Sequence, residues 1–235
     1  MQNALYMTDS YLKEFEATVE SIKDGKYVLL DKTAFYPNGG GQPNDTGSMA
    51  CNGEDYPVVF VGKFSGQISH EVGKIGLNAG DKVSCKIDWD RRYRLMRMHT
   101  AAHIIDAVLY KEAGALCTGN QLNTDKSRID FSLDALDRDK MQQYISMAND
   151  WVKKAVDVRI YTMPREEALK IPGVVKLASV MPPEVKELRM VEIPGIDLQA
   201  DGGTQVRNTS EIGKISLLSV ENKGKANRRM YYTLD

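Results

Sequence analysis

The chain has few cysteines, few histidines and almost no excess of charge. Its three cysteines, Cys51, Cys85 and Cys117, are odd in number and widely spaced among 235 residues. That excludes a disulfide framework and a Cys-x-x-Cys site, and points to a reducing, cytoplasmic setting. No apolar run approaches the roughly 20 residues needed to cross a bilayer as a helix, so no membrane association is expected. The opening residues, Met1 to Asp9, lack a basic region followed by an apolar core, so no secretory leader is expected there. Lys and Arg number 31 against 32 Asp and Glu, a net charge of -1, which argues against a protein coated in cations. A local basic face is still open. Arg91, Arg92, Arg94 and Arg97 cluster in one stretch, and Lys214, Lys223, Lys225, Arg228 and Arg229 in another. Either cluster can be phosphate contacts, or simply a solvated helix face and a basic hairpin tip, the reading the residues alone favour. Internal repeats and low-complexity segments are absent.

What is present is an ordinary globular balance, 42% hydrophobic and 27% charged residues, at a length that suits one large domain or two modest ones. From Tyr11 to about Asp88 the pattern is β. Phe15, Ala17 and Val19 alternate with polar neighbours, Asp24-Gly25 marks a hairpin turn, and Val58 to Val61 and Val83 to Ile87 are further strands. Short strands at this spacing predict a small barrel. At residues 88–90 the pattern changes. Asp90 is the expected N-cap of a helix over residues 91 to about 112, with Gly114 as its stop. Beyond it, strands are expected at 127–132, 158–161, 188–193, 215–220 and 229–233. Helices are expected at 137–155 and 165–170, the second ending before Pro172 and Gly173. This order gives an α+β fold: an N-terminal small β-barrel over residues 1–88, then an α/β two-layer domain over 89–235.

Two of the three histidines, His99 and His103, stand four residues apart in the helical run, so both imidazoles leave one helix face. That spacing can hold a metal ion, or can simply be a half-buried pair. A metallopeptidase is disfavoured because Thr100, not Glu, follows the first histidine. Downstream, Asp201-Gly202-Gly203-Thr204-Gln205 makes a tight turn flanked by a carboxylate and an amide, which either complete a divalent-ion shell or only cap the turn. A third region, Thr33-Ala34-Phe35-Tyr36-Pro37 with Gly39-Gly40-Gly41-Gln42-Pro43 and Asp45-Thr46-Gly47, is a structural or a binding loop. No Gly-Lys-Ser/Thr follows to make it a phosphate loop of the Walker type. The third histidine, His70, is expected at the surface, Cys117 as a buried structural thiol, and Arg128 with Asp130 as an ordinary exposed pair.

Taken in order, these segments, together with Asn208-Thr209 and Glu211-Ile212-Gly213, resemble the free-standing alanyl-tRNA editing proteins, the AlaX group, in their medium-length form. The resemblance covers nearly the whole chain. It implies an editing domain of the threonyl/alanyl-tRNA synthetase type. It also implies a deacylase that hydrolyses tRNA for alanine mischarged with serine or glycine, a second sieve for an error that an alanine pocket cannot exclude by size. The partner implied is the acceptor stem of that tRNA, and no obligate protein partner is inferred. In the family, His-x-x-x-His and the Cys and His of Cys-Gly-Gly-Thr-His bind zinc. The first pair carries over onto His99 and His103, whereas the second stands here as Asp201 and Gln205. A retained zinc, another divalent ion and a metal-free pocket therefore stay open. So does a non-catalytic module that binds aminoacyl-tRNA on the same fold.

The residues assigned by the resemblance are His99, His103, Asp201 and Thr33 for catalysis and His99, His103, Asp201 and Gln205 for metal. Thr33 would read the seryl hydroxyl, with Gly39, Gly40, Gly41, Gln42, Gly202, Gly203 and Thr204 shaping the pocket. Contacts to tRNA phosphates are expected from Arg91, Arg92, Arg94, Lys223, Lys225, Arg228 and Arg229.

Overall fold

The computed structural model describes residues 3–135, 137–171 and 185–235. Pro172 and Gly173, expected to stop a short helix, lie outside the described residues. The chain divides into two compact units, Met1–Met96 and Arg97–Asp235. The change of pattern at 88–90 coincides with the start of a long helix, and the units divide within that helix.

In the first unit, β1 (Asn3–Ala4) runs parallel to β4 (Lys32–Thr33). The rest is a closed barrel of β2 (Glu14–Lys23), β3 (Tyr27–Leu30), β5 (Gly47–Cys51), β6 (Glu54–Phe64), β7 (Gln67–Val72) and β8 (Lys82–Ile87), in the order β2-β3-β7-β6-β5-β8. Closure leaves no free sheet edge. The alternation read from the sequence is the inside–outside pattern. Phe15, Ala17 and Val19 of β2 and Val83, Cys85 and Ile87 of β8 point into the core, packed with Leu30, Phe35, Met49 and Val61. In the three-residue turn Asp24–Lys26 between β2 and β3, Asp24 and Gly25 both take positive φ, 54° and 73°, a conformation that Gly and Asp adopt more readily than other residues.

The long helix α1 (Trp89–Ala113) begins earlier than expected, and Asp88 rather than Asp90 caps it. The Asp88 carboxylate accepts from the Arg91 backbone N–H at 3.2 Å, and its carbonyl accepts from Arg92 at 3.0 Å. In the second unit β9 (Cys117–Gln121), β10 (Ser127–Phe131), β14 (Ile215–Asn222) and β15 (Arg228–Leu234) form an antiparallel sheet in the order β14-β15-β10-β9. A three-stranded sheet holds β11 (Arg159–Pro164), β12 (Glu187–Ile193) and β13 (Asp197–Ala200). Helix α2 (Arg138–Lys153), capped by Asp137, buries Met141, Ile145, Ala148 and Val152, while α3 is the short Arg165–Ala168. Helix α1 is tied to the sheet by the Tyr232 hydroxyl, which donates to the Met98 carbonyl at 2.8 Å.

The Asn208-Thr209 and Glu211-Ile212-Gly213 segments prove structural. The Asn208 and Glu211 side chains form a capping box on the 3-10 turn Thr209–Ile212, and the Ile212 carbonyl accepts from the Arg97 guanidinium at 2.7 and 3.0 Å. Two expectations are corrected. His70 is fully buried, and Asp130 is also buried, held by Arg229 at 2.7 and 2.8 Å as well as by Arg128 at 2.9 Å. Cys117 is half-buried.

Candidate metal centre

Helix and strand periodicity build this site together. On α1, His99, His103 and Asp106 follow at intervals of four and three residues and share one face. Along β13 and just beyond it, Asp197, Gln199 and Asp201 recur every second residue, and so also share a face. The two rows meet. His103 Nδ1 lies 2.7 Å from Asp197 Oδ2, and the Gln199 amide donates to Asp197 Oδ1 at 3.0 Å and to Asp106 Oδ2 at 3.1 Å. His99 Nε2 stands 3.6 Å from Asp201 Oδ1, and His103 Nε2 stands 3.9 Å from Asp201 Oδ2. The two imidazoles lie nearly parallel, centroids 5.2 Å apart.

Asp201 is held from several sides. Its Oδ2 accepts from the Gly203 backbone N–H at 2.8 Å and from Gln205 Nε2 at 2.9 Å. Its backbone carbonyl accepts from Arg189 Nη1 at 2.7 Å, and the same nitrogen is 3.8 Å from Oδ2. Gly203 has no alternative at its position. A Cβ there would stand 2.0 Å from His99 Cε1 and 2.3 Å from Nδ1, so only a glycine lets the ring lie against the backbone.

The charges follow from this enclosure. Burial pushes His99 down to about 4, and the neighbouring His103 and Arg189 add to that effect while Asp201 opposes it. Burial would lower His103 too, but its hydrogen bonds to Asp197 and Asp201 win and raise it to about 10. Burial also opposes ionisation of Asp201, yet His99, His103 and Arg189 hold its carboxyl well below the usual carboxylate range.

The donor set suits a zinc-class ion. His99, His103 and Asp201 each bring one ligand atom within 4.8 Å of the others. A tetrahedral ion bound at about 2.0–2.2 Å spaces its donors roughly 3.4 Å apart, close to the 3.6 Å and 3.9 Å that separate the two Nε2 atoms from the Asp201 oxygens. Gln205, expected as a fourth ligand, does not present its oxygen. Oε1 accepts from the Thr100 hydroxyl at 2.8 Å, so Nε2 faces Asp201 and stands 3.3 Å from His103 Nε2. The Thr100 hydroxyl in turn accepts from the Val206 N–H at 3.2 Å. An amide nitrogen offers a cation no lone pair. Gly202 lies half-buried, while Gly203 and Thr204 are buried in the same turn. Asp197, Gln199 and Arg189 were not singled out from sequence. For the first two a signal existed: a polar residue at every second position into Asp201, in register with a helical His-x-x-x-His.

The remaining expected residues belong to the first unit or to the β14–β15 hairpin. Thr33 is fully buried, its Oγ1 2.8 Å from His70 Nε2 and accepting from the Phe35 N–H at 3.1 Å. Gly39 and Gln42 exchange two backbone hydrogen bonds around Gly40 and Gly41, and Gln42 is buried. Arg92 is not a surface cation. Both it and Asp45 are completely buried, joined by a bidentate ion pair through Nε and Nη2; Nη1 donates to the Ser10 carbonyl, and Nη2 also donates to that of Ala34. Arg228 is buried as well, clasping the carbonyls of Gly224, Asn227 and Asp134, and Arg229 is engaged by Asp130. Neither Arg92 nor Arg228 can reach a phosphate without breaking these bonds. Arg91 and Arg94 are half-buried, and Lys223 and Lys225 are exposed.

Comparison with known proteins agrees with the resemblance read from the motifs. A family model described as tRNA synthetases class II (A) matches residues 4–91, and one described as the threonyl and alanyl tRNA synthetase second additional domain matches residues 188–231. The chain is 52% identical over 241 residues to an alanyl-tRNA editing protein AlaX-M of Methanosarcina barkeri, covering 100% of this chain and 99% of the relative. It is 51% identical over its full length to the AlaX-M protein of Saccharolobus solfataricus. It is 38% identical over 92% of its length to an alanine–tRNA ligase of Ignicoccus hospitalis, of which the match spans 24%. Full-length identity above one half leaves no room for a different assignment: the chain belongs to the alanyl-tRNA editing proteins of the AlaX-M family.

Proposed function

We propose that this chain is a hydrolase that removes serine, and glycine as a second substrate, from wrongly charged tRNA for alanine. The observation that carries the reading is the buried His99–His103–Asp201 cluster, with donor atoms within 4.8 Å of one another, in a chain 52% identical along its length to an alanyl-tRNA editing protein. An aminoacyl ester is already labile, so positioning and water supply most of what is needed. A zinc ion held by His99, His103 and Asp201 would polarise the carbonyl or orient the attacking water. Two contacts support the reading: Gly203 lets the His99 ring sit against the backbone, and Arg189 donates to the Asp201 backbone carbonyl.

Thr33 is assigned the seryl hydroxyl. The Val28 carbonyl oxygen can only accept from His70 Nδ1, at 3.0 Å, so the neutral ring carries its proton there and Nε2 is the acceptor. Thr33 therefore donates to His70 and accepts from Phe35, and one lone pair is left to receive a hydroxyl proton from serine. An alanyl methyl offers nothing to it. Contacts to acceptor-stem phosphates are assigned to Arg91, Arg94, Lys223 and Lys225.

A second reading keeps the tRNA and drops the chemistry. It is favoured by one feature: the Gln205 amide occupies, with its N–H groups, the side of Asp201 and His103 where the family places a histidine ligand. The two are separated by measuring deacylation of seryl-tRNA and alanyl-tRNA before and after stripping with a strong chelator. Serine-selective turnover that is lost on stripping and restored by zinc supports the metal-assisted hydrolase. Turnover that survives stripping keeps the editing and removes the metal. Absent turnover with tRNA still bound supports the binding module.

A further inference from the structure

Asp197 makes a contact that the ligand set alone does not account for. Its side chain is 8% exposed and its Oδ2 lies 2.7 Å from His103 Nδ1, the ring nitrogen that faces away from Asp201. Its other oxygen accepts from the Gln199 amide, whose second bond goes to Asp106. A buried carboxylate is costly to keep unless its lone pairs are used, and here both oxygens are used. A carboxylate can only accept, so the Nδ1 atom of His103 carries the proton in this contact. This contact fixes the ring's rotation, with Nε2 directed towards Asp201, and when the ring gives up its second proton to a bound cation, Nε2 is the nitrogen left free to donate.

We infer that Asp197 is the positioning residue of this site: it fixes His103 as an Nε2 donor, and Gln199, anchored to Asp106, fixes Asp197. This rests on the reading of His99, His103 and Asp201 as a metal site. Its physical basis is general. A neutral histidine offers one lone pair to a cation, and a hydrogen-bonded carboxylate on the far nitrogen both selects which one and raises its basicity. The strand supplies the geometry. Asp197 and Asp201 are both presented on the face of β13 and its continuation, so one segment delivers a ligand and the orienter of another ligand at a separation of four residues.

The experiment is zinc affinity by competition with a chromophoric chelator, on the full chain and its Asp197→Asn and Asp197→Leu variants, with cobalt absorption spectra alongside. The wild-type chain is expected to bind one ion. Asp197→Asn, which can still accept a hydrogen bond but carries no charge, is expected to weaken binding about tenfold. Asp197→Leu, which cannot accept, is expected to weaken it towards a hundredfold and alter the cobalt spectrum. Affinity within twofold of wild type in both variants overturns the inference while leaving the metal site standing. No binding by the wild-type chain overturns the metal reading and the inference with it. Should the variants fail to fold, long-range nitrogen–proton NMR of the zinc-loaded wild type decides: ligation of His103 through Nε2 with a protonated Nδ1 is expected, and ligation through Nδ1 overturns the inference.

Discussion

The ring of His99 lies so close to the backbone of Gly203 that the smallest side chain would collide with it, a Cβ standing 2.0 Å from Cε1. Carbon atoms pack at about 3.5–4.0 Å, so Gly203→Ala must push the imidazole or the turn by more than an ångström. The turn is also tied down by the Gly203 N–H bond to Asp201. Zinc affinity is therefore expected to fall at least tenfold in Gly203→Ala, with the far-ultraviolet circular dichroism unchanged. Wild-type affinity in a folded Gly203→Ala protein would mean that His99 is not held where the metal reading needs it.

Arg92 tests the division between structural and tRNA-facing cations. With Arg92 and Asp45 both completely buried, Arg92→Met leaves a carboxylate in the interior with no counter-charge. Breaking one side of a buried pair costs about 3–5 kcal/mol, so a large drop in the urea midpoint is expected. The double variant Lys223→Gln/Lys225→Gln changes two exposed side chains. It should leave the midpoint alone, weaken tRNA binding and flatten its salt dependence, by a slope of up to about 0.9 for each phosphate that is no longer neutralised. A stable Arg92→Met protein with weakened tRNA binding would reverse the assignment.

These cases show which part of the fold and site was legible in the sequence. The barrel follows from period-two alternation and its turns, and α1 from its apolar stripe, because local periodicity reflects local burial. The His99–His103 pair was legible from its helical spacing, whereas Asp201 was joined to it only by the resemblance; the fold brings one donor atom of each within 4.8 Å of the others. Arg92 and Arg228 were misread because a charge in a basic cluster looks exposed until its partner is known, and Asp45 lies 47 residues from Arg92. His70 was misread for the same reason: its partners, Thr33 and the Val28 carbonyl, sit on other strands. Gln205, expected as a ligand, stands beside Asp201 and His103, but which end of its amide faces them depends on Thr100, a contact across 105 residues.

Thr33→Val would hardly touch stability if the hydroxyl served only the substrate. The structure changes that expectation. The hydroxyl is the donor to His70 Nε2 and an acceptor for the Phe35 N–H, all fully buried. Leaving either group without its partner costs about 1–3 kcal/mol. Thr33→Val is expected to lower the urea midpoint, and Thr33→Ser, which keeps both bonds, to leave it nearly unchanged. Selectivity is the sharper readout. If Thr33 reads serine, Thr33→Val lowers kcat/KM for seryl-tRNA by tenfold or more relative to glycyl-tRNA, and Thr33→Ser does not. Equal losses on the two substrates would reduce Thr33 to a structural role.

His70 makes the stability of the first unit depend on pH. Burial holds its pKa down at about 4 against the ordinary 6.5, so the folded chain keeps the ring neutral while the unfolded chain protonates it. Above about pH 6.5 both states are neutral and the group contributes nothing against folding. As pH falls from 6.5 towards 4 the unfolded state binds a proton that the folded state refuses, so stability is lost across that window. The loss approaches about 3 kcal/mol below pH 4 and is about 2 kcal/mol at pH 5. With a chelator present throughout, the wild-type chain is expected to lose about 2 kcal/mol more than His70→Gln between pH 7.5 and pH 5 in urea unfolding. The glutamine amide can still donate to the Val28 carbonyl or accept from Thr33, but it does not titrate. Parallel losses in the two proteins would show that His70 is solvated or already charged in the folded state, against its complete burial between Val28 and Thr33.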